Sequence, residues 1–154
     1  MDPCMIRLGT AEDYDCAESM MKEVQKLHID WRPDIYKPSD PVLSFSEFEQ
    51  MIESKRLLVA EVNHAVVGLM TFAYRHIESD KQVTRDVLFI SDLVVKESCR
   101  GQGIGSQMLQ YMKDKAQKEH MDGLELQVNA RNTQARKMYE KNGFTEKSIN
   151  MELL

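Results

Sequence analysis

Apolar side chains recur at two different periods along this chain, and each change of period marks an element. In the first third the period is helical: Tyr14, Ala17, Met20, Met21, Val24 and Leu27 fall on one face of a helix expected over residues 11–29. Thr10-Ala-Glu-Asp13 opens that helix as a capping box, with Thr10 at the N-cap and Asp13 in the first turn. Met5–Leu8 reads as a short strand ahead of it. The pattern fails between His28 and Pro41, where Pro33, Pro38 and Pro41 cannot continue a helix. Ser44–Phe48 starts a second short helix, with Phe48, Met51 and Ile52 facing inward.

From Arg56 the period drops to two. Arg56–Val62, a turn at Asn63-His64, and Ala65–Tyr74 predict an antiparallel hairpin. Gly68 within it marks a bulge or a close approach of another group. A turn at Glu78–Lys81 leads to Val87–Val95, apolar on both faces: Leu88, Ile90 and Val94 on one, Val87, Phe89, Leu93 and Val95 on the other. Such a strand is central and covered on both sides. Asp92 sits on one of these apolar faces and is the anomaly in the strand.

A helix over 103–119 carries Ile104, Met108, Tyr111, Met112 and Ala116, and Met121–Gly123 turns into a strand at Leu124–Val128. Asn132 caps a helix over 133–141 bearing Ala135, Met138 and Tyr139, which Asn142-Gly143 stops. Phe144–Leu153 is expected to close the sheet as a last strand. The expected fold class is α/β of the mixed α+β kind: a mostly antiparallel sheet of six or seven strands with four helices, in the order βααβββαβαβ. Its 154 residues make one domain, with no internal repeat, low-complexity tract or linker.

Composition narrows the function classes. The apolar fraction of 42 % and charged fraction of 29 % are those of an ordinary globule, and no apolar run approaches a membrane span. The N-terminal Met-Asp-Pro-Cys-Met-Ile-Arg lacks the architecture of a secretory signal, so a cytoplasmic protein without a membrane partner is expected. A net charge of −5 with no basic stripe argues against a nucleic-acid partner, and it is compatible with an amine-bearing one. Cys4, Cys16 and Cys99 are odd in number and far apart, and His28, His64, His76 and His120 are equally scattered, so neither a disulfide framework nor a metal site is expected. Eleven methionines are read chiefly as core filler.

The chemistry concentrates in Asp92–Ser106, an apolar strand feeding a loop with glycines at 101, 103 and 105 and then a helix. Glycines let a backbone turn several N–H groups inward, and a helix start adds unpaired N–H groups and the positive end of its dipole. Arg100 adds a fixed cation suited to phosphate oxygens. Together they form a candidate pyrophosphate cradle; the plainer alternative is a flexible strand-to-helix connection. No Lys-Ser or Lys-Thr follows the glycines, which excludes a Walker loop. Ser106 stands where a dinucleotide loop has its third glycine, and too little chain remains for the second half of such a sheet.

What fits is R-x-x-G-x-G, with Arg100, Gly103 and Gly105 at the marked places. Behind it, Val128–Phe144 carries N-x-x-A-x-x-x-Y-x-x-x-G-F, in which Asn132 and Tyr139 lie two helical turns apart on one face with the small Ala135 between them. The two segments together resemble the acetyl-CoA-binding motifs of the GNAT superfamily of N-acetyltransferases. The resemblance is good over 56–154 and extends to 1–55 only in element order, the region that shapes the acceptor site in that family. It departs from the family at Lys96–Cys99, which has no proline.

The resemblance implies acetyl-CoA as co-substrate, no metal, and a splay between the strands at 87–95 and 124–128. The pantetheine arm would pair with Leu93, Val94 and Val95, a backbone N–H near Val94 would polarise the thioester carbonyl, and Arg100, Gly101, Gln102, Gly103, Ile104, Gly105 and Ser106 would take the pyrophosphate. Asn132, Ala135 and Tyr139 would line the second motif. Tyr139 matches the family's tyrosine acid, and Asp92 lies where many members place a glutamate base; a core tyrosine and a structural acid are the competing readings. Trp31, Asp34 and Tyr36 in the proline-rich loop are candidates for the wall of an amine site, or else part of a connector whose Trp31 packs down. The implied function is transfer of an acetyl group to a primary amine of a small molecule or peptide. The alternatives are a non-catalytic CoA-binding regulatory module, or a nucleotide-binding regulator using the glycine loop. A homodimer is an open option.

Overall fold

Five strands pair in chain order in one sheet: β1 (Cys4–Leu8), β2 (Leu57–Val62), β3 (Ala65–Ser79), β4 (Gln82–Val95) and β5 (Gly123–Leu126). The first four are antiparallel neighbours and β5 runs parallel to β4. Four helices accompany them: α1 (Tyr14–Trp31), α2 (Phe45–Glu53), α3 (Ile104–Lys118) and α4 (Thr133–Lys141), with 3-10 turns at Ala11–Asp13 and Glu97–Cys99. The structure is a computed structural model that describes residues 3–154. Met1 and Asp2, which begin the N-terminal stretch read above, lie outside the described residues.

The sheet carries a core on each face. On one, Leu58, Ala60, Met70, Phe72, Leu88 and Ile90 pack against Ile104, Met108, Leu109 and Met112 of α3. On the other, Val59, Leu69 and Val94 pack against Ala17 and Met20 of α1 and Phe48 of α2. Two bulges set which residues reach which face. Gly68 pairs with Ala60 and Val66 with Glu61, so Val67 is an extra residue; a Cβ on Gly68 would lie 2.9 Å from both Ala60 Cβ and Met108 Sδ. The glycine therefore marks both a bulge and a close approach.

The second bulge corrects the face assignment of β4. Thr71 pairs with Asp92 and Phe72 with Ile90, leaving Ser91 unmatched. The extra residue reverses the alternation, so Leu93 and Val95 join Leu88 and Ile90 on the α3 side. Val94 turns to the α1 side, and Asp92, two residues from it, turns with it. Strict period-two reading groups Val94 with Leu88 and Ile90 because it cannot see an unpaired residue.

Two boundaries also move. Helix α1 runs on to Trp31, past the break expected at His28, and ends at Arg32 (φ −142°), whose backbone is restricted by Pro33. In place of the expected six or seven strands there are five among the described residues. Phe144–Leu153 forms no ladder there, and β5 stops at Leu126 rather than Val128. Phe144 packs edge-on to Tyr139 with ring centres 5.8 Å apart, but Ile149, Met151 and Leu153 are 73, 87 and 99 % exposed. Ion pairs hold that segment instead: Glu146 with Arg136 at 2.6 Å, Lys147 with Glu125 at 2.9 Å, and Glu152 with Arg32. Alternation licenses a strand only where a face is offered for burial.

Candidate active site

The site begins where β4 outruns its neighbour. The β4–β5 ladder extends from Val87–Gly123 to Ile90–Leu126 and no further, while β4 stays paired with β3 as far as Val95. Residues 91–95 therefore have one edge open. Lys96 N–H donates to Val67 O at 2.9 Å, so by antiparallel alternation the polar groups of Val94 also face β3, and those of Leu93 and Val95 face the open edge. The backbone donor expected near Val94 thus falls on its neighbours. One of these groups already has a partner, because Val95 O accepts from Arg100 Nε at 3.0 Å. That bond fixes the base of the Arg100 side chain and leaves its terminal nitrogens for an anion.

Beyond β4 the glycines divide into two kinds. Gly101 (φ +78°) and Gly103 (φ +82°) hold the left-handed backbone that the turn requires, and Gly103 is the N-cap of α3. A Cβ on either would meet no other group within 4 Å. Gly105 has a different duty: it is buried in the first turn of α3, and a Cβ there would lie 2.7 Å from Met138 Sδ. It lets α3 and α4 approach. Gln107 N–H donates to Gly103 O at 3.0 Å, so the amides of Ile104, Gly105 and Ser106 are the start-of-helix donors that lack an intrahelical acceptor. Gln102 is exposed, whereas the Ile104 side chain is 4 % exposed and belongs to the core, so only its backbone is offered.

Helix α4 lies against this helix start. The Asn132 carboxamide caps it by accepting from Ala135 N–H at 3.2 Å, and Asn142 Nδ2 donates to Ser106 Oγ at 3.1 Å, tying the end of α4 to the start of α3. Tyr139 projects into the α3-side core, and burial pushes its phenol up to about 12. The nearby Asp92 charge pushes the same way. Tyr139 is therefore a neutral O–H donor throughout the neutral range. Thr71 Oγ1 donates to Asp92 Oδ2 at 2.6 Å across the bulged β3–β4 pair, fixing this carboxylate at the splay.

The acceptor-side candidates come together only in part. Trp31 ends α1 and is half-buried, with its ring 5.9 Å from that of His28. Tyr36 stacks on His28 at 4.8 Å. Asp34 is exposed and points at neither; Arg32 grips it with Nε at 2.9 Å and Nη2 at 2.7 Å. Asp40 is likewise held by Lys22 at 3.0 Å. Both carboxylates are thus already matched by cations of the same chain. His28 is missing from the sequence-derived candidates, yet burial lowers its imidazole below the usual value and it feels the charge of Asp92. A signal for it exists in the sequence: His28 lies four residues beyond Val24 on the buried stripe of α1. Among the described residues no three His, Cys, Asp or Glu side chains converge as metal ligands, and no helix is long and apolar enough to cross a membrane.

The site thus joins an open strand edge, a glycine turn feeding a helix start, and a half-buried tyrosine that feels the charge of a fixed carboxylate. Residues 21–144 match the acetyltransferase (GNAT) family, and the chain belongs to that family. It is an acetyltransferase. Among proteins it resembles, the aminoalkylphosphonate N-acetyltransferase of Salmonella typhimurium strain LT2 is 25 % identical over 150 residues, covering 95 % of this chain and 88 % of that one. The crystal structure of a point mutant of the BH1408 protein from Bacillus halodurans superposes with a TM-score of 0.94 at 25 % identity, over 97 % of this chain and 98 % of that one. A predicted acetyltransferase of Clostridium acetobutylicum, solved with acetyl-CoA, shares the fold at a TM-score of 0.68 and 18 % identity, over 99 % of this chain and 96 % of that one.

Proposed function

We propose that this acetyltransferase takes the acetyl group from acetyl-CoA and passes it directly to the primary amine of a small molecule. One observation carries the reading: the open edge of β4 at residues 91–95 leads straight to the start of α3. Pantetheine needs backbone partners along a strand edge, and its pyrophosphate needs N–H groups and a cation one loop further on. Leu93 and Val95 offer the first; the Gly101–Ser106 backbone and the free end of Arg100 offer the second. Asn132 and Ala135 border that path from α4. A Leu93 N–H aimed at the thioester carbonyl would stabilise the charge developing on its oxygen.

Tyr139 donates to the leaving sulfur. A phenol near 12 is a weak acid beside a thiol of about 8.5, but desolvation of the thiolate in the same pocket narrows that gap. Its service is a hydrogen bond that strengthens as negative charge builds. The small-molecule acceptor is supported by the similarity to an aminoalkylphosphonate N-acetyltransferase, which spans the acceptor side as well as the donor side of this chain. The Trp31–Tyr36 wall supports an apolar stem next to the amine, and Asp34, paired with Arg32, is withdrawn from that role.

The test is thiol release from acetyl-CoA with a panel of amines that includes aminoalkylphosphonates, polyamines, aminoglycosides and lysine peptides. Release should depend on one amine class. In Tyr139→Phe the rate should fall by about 10²-fold while the acetyl-CoA Kd stays within about twofold. Tight binding without release for any amine would favour the regulatory-module reading. A wild-type protein that does not bind acetyl-CoA would sink the proposal.

A further inference from the structure

Direct attack by an amine leaves one proton unassigned. As the nitrogen bonds to the carbonyl carbon it becomes strongly acidic, and an unprotonated base beside it must take an N–H proton for the step to go forward. Asp92 is the obvious candidate by position, but its Oδ2 already accepts the Thr71 hydroxyl at 2.6 Å, and its charge acts on groups from two other elements, His28 and Tyr139. That placement suits a carboxylate that steadies a cation better than one that moves a proton.

The buried stripe of α1 supplies the other group. Ala17 and Met20 pack with Leu69 and Val94, and Val24 continues the stripe at the margin of the same core. One helical turn further is His28, about 5.4 Å along the axis, and two residues back along β4 from Val94 is Asp92, about 6.6 Å along the strand. Helix and strand pack together through this core, and the charge of Asp92 reaches the His28 imidazole from the face to which the Ser91 bulge turns it. Tyr36 covers one side of the ring and Trp31 lies next to it, which leaves His28 half-buried against the loop that borders the acceptor side.

We propose that His28 is the catalytic base, and that Asp92, held by Thr71, is its positioning partner. The inference rests on the reading that the acceptor amine enters between the end of α1 and the open edge of β4. In the step, the C–N bond forms and the C–S bond breaks. One N–H proton passes to the neutral imidazole, and the sulfur leaves as a thiolate hydrogen-bonded by Tyr139. The imidazolium, balanced by the Asp92 carboxylate, then returns its proton to solvent.

The charged and titratable surroundings are few. Asp92 faces His28 from β4, Tyr36 from the following loop, and Tyr139 from α4 beyond Asp92. At the end of α1, Arg32 is occupied by Asp34 and Glu152, and the Arg131 guanidinium donates to Trp31 O. Desolvation lowers the imidazole below its ordinary value, which keeps it neutral and able to accept at pH 7.

The experiment is the pH profile of kcat/KM for the best amine of the panel, in wild type, His28→Gln and Asp92→Asn, with acetyl-CoA affinity measured for each. Wild type should show an acid limb with a midpoint below about 6.5, and the His28 imidazole should titrate at that midpoint by NMR. His28→Gln should lose about 10²-fold or more and lack the limb, with acetyl-CoA Kd within about twofold. Asp92→Asn should move the limb to lower pH, because the carboxylate raises the imidazole; a merely structural aspartate would leave it in place. A limb unmoved in His28→Gln with kcat/KM within about threefold of wild type would overturn the assignment alone. Wild type that binds no acetyl-CoA would overturn it together with the reading beneath it.

Discussion

Asp13 shows how a single residue can be legible in sequence and still owe its energy to tertiary contacts. Its place in the first turn after Thr10 predicts a local cap, and its carboxylate does accept Thr10 N–H at 2.7 Å. The structure adds Arg7 from β1, whose guanidinium makes a two-pronged pair with it at 2.9 and 3.1 Å. At 5 % exposure burial alone would raise the carboxyl; the bonds from Arg7 and Thr10 outweigh it and hold the group below the usual carboxylate range. A depressed folded-state value contributes stability above the unfolded value near 3.9, and that contribution is lost as pH falls through the folded one. Asp13→Asn should therefore cost about 2–3 kcal/mol at pH 7 and progressively less as pH falls below about 3.9, read as urea midpoints across that range. Tyr139 makes the opposite lesson. Its spacing from Asn132 places the two on one face of α4, but only packing shows that its phenol stays neutral far above pH 7.

At the scale of elements, the glycine loop separates conformation from packing. Gly103 has no neighbour to crowd a Cβ, so Gly103→Ala meets only the cost of the left-handed backbone at φ +82°, about 1–2 kcal/mol. Gly105→Ala meets a Met138 sulfur at 2.7 Å and no backbone strain, so its cost depends on how far a flexible methionine can shift, up to about 1–3 kcal/mol. Adding Met138→Ala should restore most of the loss in the second variant and none in the first, as thermal melting of the double mutants would show. Equal rescue of both would contradict this division. The β4 bulge is the other element-scale device. One unmatched residue, Ser91, turns Asp92 away from the α3 core and toward α1. Asp92 on an apolar face is the one hint of it in Leu88–Val95; the place of the extra residue is not signalled, because both faces are otherwise apolar.

At the scale of the molecule, the pieces meet where β4 continues beyond the end of its parallel neighbour. β5 stops at Leu126 while β4 continues to Val95, α3 starts one loop beyond, and His28 of α1 and Tyr139 of α4 both feel the charge of Asp92 on that stretch. If acetyl-CoA occupies that open edge, it binds the folded state alone. At a hundredfold excess over Kd it should then add about 2.7 kcal/mol, or roughly 5–10 °C of melting temperature for a chain of this size. Free CoA should give a comparable shift, and ATP a smaller one, since it lacks the pantetheine arm that would pair with Leu93 and Val95. Differential scanning fluorimetry across the three ligands checks this, and an ATP shift as large as that of CoA would count against the strand-edge reading.

Local chemistry alone determined a good deal. Hydrophobic period, capping residues and turn signals specified the four helices, the β2–β3 hairpin with positive φ at Asn63 and His64, and the two motifs that carry the family. These are decided within a few residues, by side-chain spacing and backbone sterics. Three other things depended on partners distant in sequence. The Phe144–Leu153 segment has a strand's alternation but no face to bury, and it stays outside the sheet. Asp34 looks like part of a wall for a cation until Arg32 is seen to hold it. His28 looks like one of four scattered histidines until α1 and the bulge in β4 bring it within reach of the Asp92 charge. Burial, pairing and charge balance are properties of what surrounds a residue, and only the folded chain supplies those surroundings.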